Sequence, residues 1–198
     1  MQMDYGINKF KCATIAEAEL LGICGAPEAL LAMQPVGFNI NRFITLIKTY
    51  PNTDFATLTD SISIADQLSE AASENDVRIN LYIDLNVGMN RTGIAPDDKA
   101  LRLYQYVFDN DHLNILGLHV YDGHLRNPDF ETRKKDCDQA FNSVLKLKER
   151  ILKANLPKPV IIAGGSPTYP IHCKRENVIA SPGPRYCGMR ATEVFFLK

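Results

Sequence analysis

No stretch of this 198-residue sequence approaches the roughly 20 consecutive apolar residues needed to cross a bilayer. The opening "MQMDYGINKF" lacks the basic start and apolar run of a secretory signal. An excess of one charge is missing too. With 22 basic and 23 acidic residues the formal net charge is −1, so no electrostatic pull toward nucleic acid or an acidic membrane is expected. Cysteine is present, but never as a CxxC pair. The five thiols, Cys12, Cys24, Cys137, Cys173 and Cys187, are odd in number and scattered. That argues against a disulfide frame or zinc site and for reduced thiols in the cytoplasm. No proline- or glycine-rich linker, low-complexity tract or short repeat interrupts the chain, so one domain with a real core is expected. Tryptophan is absent, and nothing follows from that.

What the chain does have is alternation. Short apolar runs predict strands at Lys9–Ala13, Ala29–Met33, Asp54–Thr59, Asn80–Leu85, Ile115–Tyr121, Val160–Ala163 and Val178–Ala180. Between them, helical spacing predicts helices near Ile15–Ile23, Arg42–Lys48, Ser63–Ser73, Asp98–Phe108 and Glu131–Lys153. Strand–helix repetition of this kind implies βαβ units and a parallel sheet of the α/β class. A closed barrel of this design needs eight strands, and seven are visible.

In such barrels chemistry is carried at the C-terminal ends of the strands. There the sequence turns polar. "AGGSPT" (163–168) puts two glycines and two hydroxyls after an apolar strand, where backbone N–H groups can approach an oxyanion. A short helix starting near Pro167 would add to that. A plain strand-to-helix turn would use the same residues. "SPG" (181–183) belongs to the same corner. In "HVYDGH" (119–124), His119 and Tyr121 alternate onto one strand face, while His124 lies beyond it. An imidazole there can move protons near neutrality, although a lone histidine is also commonly a satisfied core residue. No third ligand completes a metal motif. Arg91, in "GMNRTG" (88–93), exits the fourth strand and suits a phenolate or carboxylate oxygen. Its ordinary alternative is a surface pair with Asp97 or Asp98.

Taken together, "FKCATIAEAE", "DLNVGMNRTGI", "GLHVYDGH", "AGGSPT" and "SPG" resemble the D-threonine aldolase and D-serine dehydratase-like family. These are pyridoxal-phosphate enzymes with an alanine-racemase-type barrel followed by a β-domain. The resemblance runs from about residue 5 to 183. It implies an incomplete (β/α)₈ barrel over 1–183 with its first strand missing, and a non-matching tail over 184–198. It also implies that Arg91 lies near the phenolic oxygen of the cofactor ring, and that His119 and Tyr121 face cofactor and substrate. Gly164, Gly165, Ser166 and Gly183 would hold the phosphate, with Thr168 a weaker candidate. Ser181 stands where alanine-racemase-type relatives place an arginine against the pyridine nitrogen, so a neutral partner is expected there.

The family's imine-forming lysine falls upstream of this match, and its metal-binding residues fall in the β-domain downstream. Lys9 and Lys11 lie in the strand body and are not expected to replace that lysine. A lyase of D-β-hydroxy-α-amino acids is therefore the expected parent activity, with little turnover from this chain alone and a homodimer compatible with it. Three expectations compete with it: a non-catalytic pyridoxal-phosphate-binding barrel, a phosphate-ligand enzyme without pyridoxal chemistry, and an unstable piece whose two unpaired strand edges invite aggregation or partner pairing.

Overall fold

The computed structural model describes residues 3–182; Gly183 and the 184–198 tail lie outside them. Seven strands form one sheet in sequence order: β1 (Lys9–Cys12), β2 (Glu28–Leu31), β3 (Asp54–Thr59), β4 (Ile79–Leu85), β5 (Leu113–Val120), β6 (Val160–Ala163) and β7 (Val178–Ala180). Every pairing is parallel. The helices between them are α1 (Ile15–Ile23), α2 (Phe38–Thr49), α3 (Ile62–Glu74), α4 (Asp98–Phe108), α5 (Phe130–Lys153) and the one-turn α6 (Tyr169–His172). This is the expected incomplete barrel. Among the described residues β1 and β7 are the two edges.

Local chemistry explains the boundaries. Thr14 and Glu17 close a reciprocal capping box at the start of α1, satisfying N–H groups that a helix end leaves open. Ser61, Asp97 and Asp129 cap α3, α4 and α5 through their side-chain oxygens. Helix α2 begins four residues before the expected Arg42. Its cap, Gly37, has no side chain to signal a start, and Phe38 is 91% exposed, so the apolar periodicity only becomes visible further in.

Strand side chains alternate between two cores. The outer one packs sheet against helices and holds the large buried side chains Leu81, Ile83, Leu118, Phe43, Leu68 and Leu147. The inner one is small: Leu30, Ala56, Leu58, Tyr82 and Ile162. At about 2 kcal/mol per buried aliphatic side chain, the sheet–helix interface dominates stability. The inward face can therefore carry polar groups at its upper end without unfolding the domain.

Candidate functional site

At the C-terminal end of the strands a cavity of about 190 Å³ is lined by Lys11, Arg91, His119 and Tyr121. Gly164, Gly165, Ser166 and Ser181 line it too. A larger cavity, about 320 Å³, opens at the opposite end of the sheet, lined by residues such as Asn80, Asn114 and the Lys9–Glu28 ion pair (2.6 Å). It contains none of the sequence candidates. In this architecture it is the upper end that hosts chemistry.

Arg91 is delivered by a loop that ties itself down. Asn86 Oδ1 accepts from the N–H groups of Gly88 (3.0 Å) and Asn90 (3.1 Å), and Asn86 Nδ2 donates to Asn90 Oδ1 (3.0 Å). The loop returns to the strand through Asn86 N–H to Ile94 O and Ile94 N–H to Asp84 O, both 2.9 Å. The guanidinium lies over the Tyr121 ring, 4.8 Å from its centre, an attractive arrangement of cation and π face. The ordinary alternative is not what forms. Asp97 caps α4 and Asp98 pairs with Arg150.

His119 is buried and oriented. Its Nδ1 sits 2.7 Å from Asp84 Oδ1, and Thr92 Oγ1 donates to the other Asp84 oxygen at 2.9 Å. With Nδ1–H given to the carboxylate, Nε2 is the lone-pair nitrogen. It faces Lys11 Nζ at 3.4 Å. Burial lowers the His119 pKa and outweighs the Asp84 hydrogen bond, while Lys11 pushes the same way as burial. The ring is thus neutral at pH 7. Burial likewise lowers Lys11 to about 8; Asp84 opposes this, Arg91 adds to it and Asp122 opposes it.

The "AGGSPT" corner is built differently from expectation. Gly164 N–H donates to Val120 O at 3.0 Å and Gly165 N–H to Thr168 Oγ1 at 3.0 Å, so neither is open to an anion. The glycines serve close approach instead. Gly164 has φ +128°, and a Cβ there would lie 2.9 Å from Ser181 O; one on Gly165 would lie 2.9 Å from Gly123 Cα. What remains for a ligand is Ser166, exposed at the rim and without a hydrogen bond among the described residues. Ser181 is the other: its Oγ is buried with no partner among them.

Thr168 is buried and turned away from the cavity. Its hydroxyl donates to Asp122 Oδ1, and Asp122 Oδ2 accepts from His172 Nε2 at 2.8 Å. Cys137 Sγ lies 3.6 Å from that oxygen and 3.4 Å from His172 Nε2. Asp122, Cys137 and His172 are close enough to hold a metal ion. Yet Arg175 Nε donates to His172 Nδ1 at 3.3 Å, and burial pushes the Cys137 thiol up to about 12. These contacts tie the exit of β5 to α5 and α6 as a hydrogen-bonded clamp. Burial raises the Asp122 pKa, but His172, Thr168 and Cys137 outweigh it, and the net shift is downward.

Sequence reading did not single out Asp84 or place Lys11 in the site. The signals were there. Asp84 is a carboxylate inside the apolar run "LYIDL", and a charge so placed needs a partner. Lys9 and Lys11 alternate with Phe10 and Cys12, which puts both lysines on the inward face. Thr14 and Gln34, polar at strand exits, do local work: one caps α1, the other accepts from the Asp60 N–H at 2.8 Å.

The family described as alanine racemase, N-terminal domain, matches residues 1–183. Alanine racemase 2 of Clostridium acetobutylicum is 24% identical over 153 residues, covering 73% of this chain and 36% of that protein. D-threonine aldolase of Arthrobacter sp. is 23% identical over 168 residues, covering 83% and 43%. Among solved structures, D-threonine aldolase from Filomicrobium marinum aligns with a TM-score of 0.79 at 25% identity, over 85% of this chain and 46% of that one. D-threo-3-hydroxyaspartate dehydratase from Delftia sp. HT23 gives 0.72 at 20% identity, over 80% and 42%. The chain spans less than half the length of these relatives. Among the described residues no helix is long and apolar enough to cross a membrane.

Proposed function

Since the chain belongs to the alanine racemase N-terminal domain family, we propose that it forms the cofactor-holding barrel of a pyridoxal-phosphate-dependent lyase. The substrates are D-β-hydroxy-α-amino acids, as for a D-threonine aldolase or D-serine dehydratase. The observation that supports this reading is the single upper cavity shared by Arg91, His119, Tyr121, Ser166 and Ser181.

The residues fit such a group. A flat phosphorylated ring needs an anion corner, a partner for its nitrogen and a cation near its phenolic oxygen. Ser166, with its hydroxyl at the rim, is the anion donor. Ser181 Oγ, buried and without a partner among the described residues, would be the ring-nitrogen partner, and a buried hydroxyl with no partner is costly unless a ligand supplies one. Arg91, stacked on Tyr121, is the cation. When bound, the cofactor supplies an aldehyde and an electron-accepting ring. A hydroxyl can donate to the ring nitrogen or accept from it, whereas a guanidinium can only donate. His119, neutral and fixed by Asp84, accepts protons at Nε2. Substrate specificity and any metal requirement belong to the whole enzyme. The 198 residues alone are expected to bind ligand rather than sustain turnover.

Equilibrium titration tests this. Pyridoxal phosphate is expected to bind and to be displaced by inorganic phosphate. Its spectrum should change on adding D-threonine or D-serine, and not the L enantiomers. Tight binding of sugar phosphates with no binding of pyridoxal phosphate would overturn the reading in favour of a phosphate-ligand enzyme without pyridoxal chemistry.

A further inference from the structure

We propose that Lys11 is the residue through which this chain captures a phosphorylated aldehyde covalently, an inference that rests on the cofactor reading above. Three observations carry it. The Lys11 side chain leaves the inward face of β1 and crosses the barrel to His119 on β5, ending 3.4 Å from Nε2. It lines the same upper cavity as Ser166 and Ser181, and no other lysine among the described residues does. Lys9, two residues earlier, is held by Glu28 at 2.6 Å in the cavity at the other end.

The surroundings favour a nucleophilic amine rather than a structural cation. Among the described residues no carboxylate lies within ion-pair distance of Nζ. The groups that act on it are Asp84 from β4, Arg91 from the loop after it, and His119 and Asp122 from β5 and its exit. Burial dominates and brings the amine to about 8. At pH 8 about half the Lys11 amines then hold a lone pair, against roughly 1 in 300 for an ordinary lysine. The His119 nitrogen, its own proton given to Asp84, accepts the proton that the ammonium must shed. A base held by a third group beside a desolvated nucleophile is the arrangement that covalent catalysis uses.

The step balances without an outside oxidant or reductant. The Nζ lone pair adds to the aldehyde carbon. The two amine hydrogens depart with the aldehyde oxygen as water, and a carbon–nitrogen double bond replaces the carbonyl. The corner at Ser166 and Ser181 holds the rest of the ligand while this happens.

The test is to incubate the 198-residue protein with pyridoxal phosphate, reduce with borohydride and map the labelled peptides. Lys11 is expected to carry close to one label per chain, at least tenfold above any surface lysine. Inorganic phosphate should suppress that label. The labelling rate should rise with a midpoint near pH 8, set by the amine. A companion titration uses pyridoxine 5′-phosphate, which has the phosphate and ring but no aldehyde. Lys11→Met and Lys11→Arg should still bind it while losing the covalent label. If pyridoxine 5′-phosphate binds and the label is spread over surface lysines or sits on Lys9, the Lys11 inference fails and the cofactor reading stands. If pyridoxine 5′-phosphate does not bind the wild-type chain, the cofactor reading itself is overturned.

Discussion

A positive charge carried inward by Lys11 costs free energy, and the size of that cost depends on pH. Unfolded, the amine keeps its proton to about 10.5; folded, burial releases it near 8. The unfolded chain therefore holds more protons between those values, and folding stability rises as pH climbs through them. Below pH 8 the penalty is complete. Lys11→Met is accordingly expected to melt higher than wild type at pH 7, with the advantage shrinking toward pH 10. Thermal unfolding of both proteins at the two pH values checks this, and an equal difference at both would refute it. Ser181 carries a cost of another kind. Its Oγ is buried and makes no hydrogen bond among the described residues, so Ser181→Ala should raise folding stability, by about 1 kcal/mol. The same variant should weaken pyridoxal phosphate binding about tenfold, the worth of one hydrogen bond of roughly 1.4 kcal/mol.

Among elements, the turn between β6 and α6 depends on Asp122. Its two oxygens hold Thr168 and His172, and Thr168 in turn accepts from Gly165. Removing the charge leaves buried donors short of an acceptor, so Asp122→Asn should destabilise by about 3 kcal/mol at pH 7. Because the folded pKa lies below the ordinary carboxyl value, this contribution is present above the unfolded pKa and is lost as pH falls through the folded one. Urea titrations at pH 7 and in the acid range should show the difference between variant and wild type narrowing. The four-residue α6 is too short to act as an anion site through its own dipole. The Ser166 hydroxyl, and not the helix end, is what a phosphate would meet.

For the whole molecule, burial is uneven. Strands β3 to β5 are paired on both sides and covered by helices, whereas β1 and β7 each pair on one side only among the described residues. Local opening follows that gradient. Amide hydrogen exchange is expected to be slowest in Leu81–Ile83 and Leu118–Val120 and fastest, within the sheet, in Lys9–Cys12 and Val178–Ala180. Uniform protection across all seven strands would contradict it.

Read alone, the sequence determined the succession of strands and helices, because each strand is an apolar run and most helices announce themselves by local periodicity and a capping residue. All seven strands lie within two residues of expectation, and α2 was foreshortened where Gly37 and exposed Phe38 carry no apolar signal. Spacing also put Arg91, His119, Tyr121, Ser166 and Ser181 at strand exits. What only the tertiary structure decided is who faces whom across the barrel. Lys11 and His119 are 108 positions apart, and no local pattern encodes a contact created by the curl of a seven-stranded sheet. The glycine N–H groups at 164 and 165 were spent on Val120 and Thr168 for the same reason: hydrogen-bond partners are chosen by proximity in space, which one chain's order does not reveal.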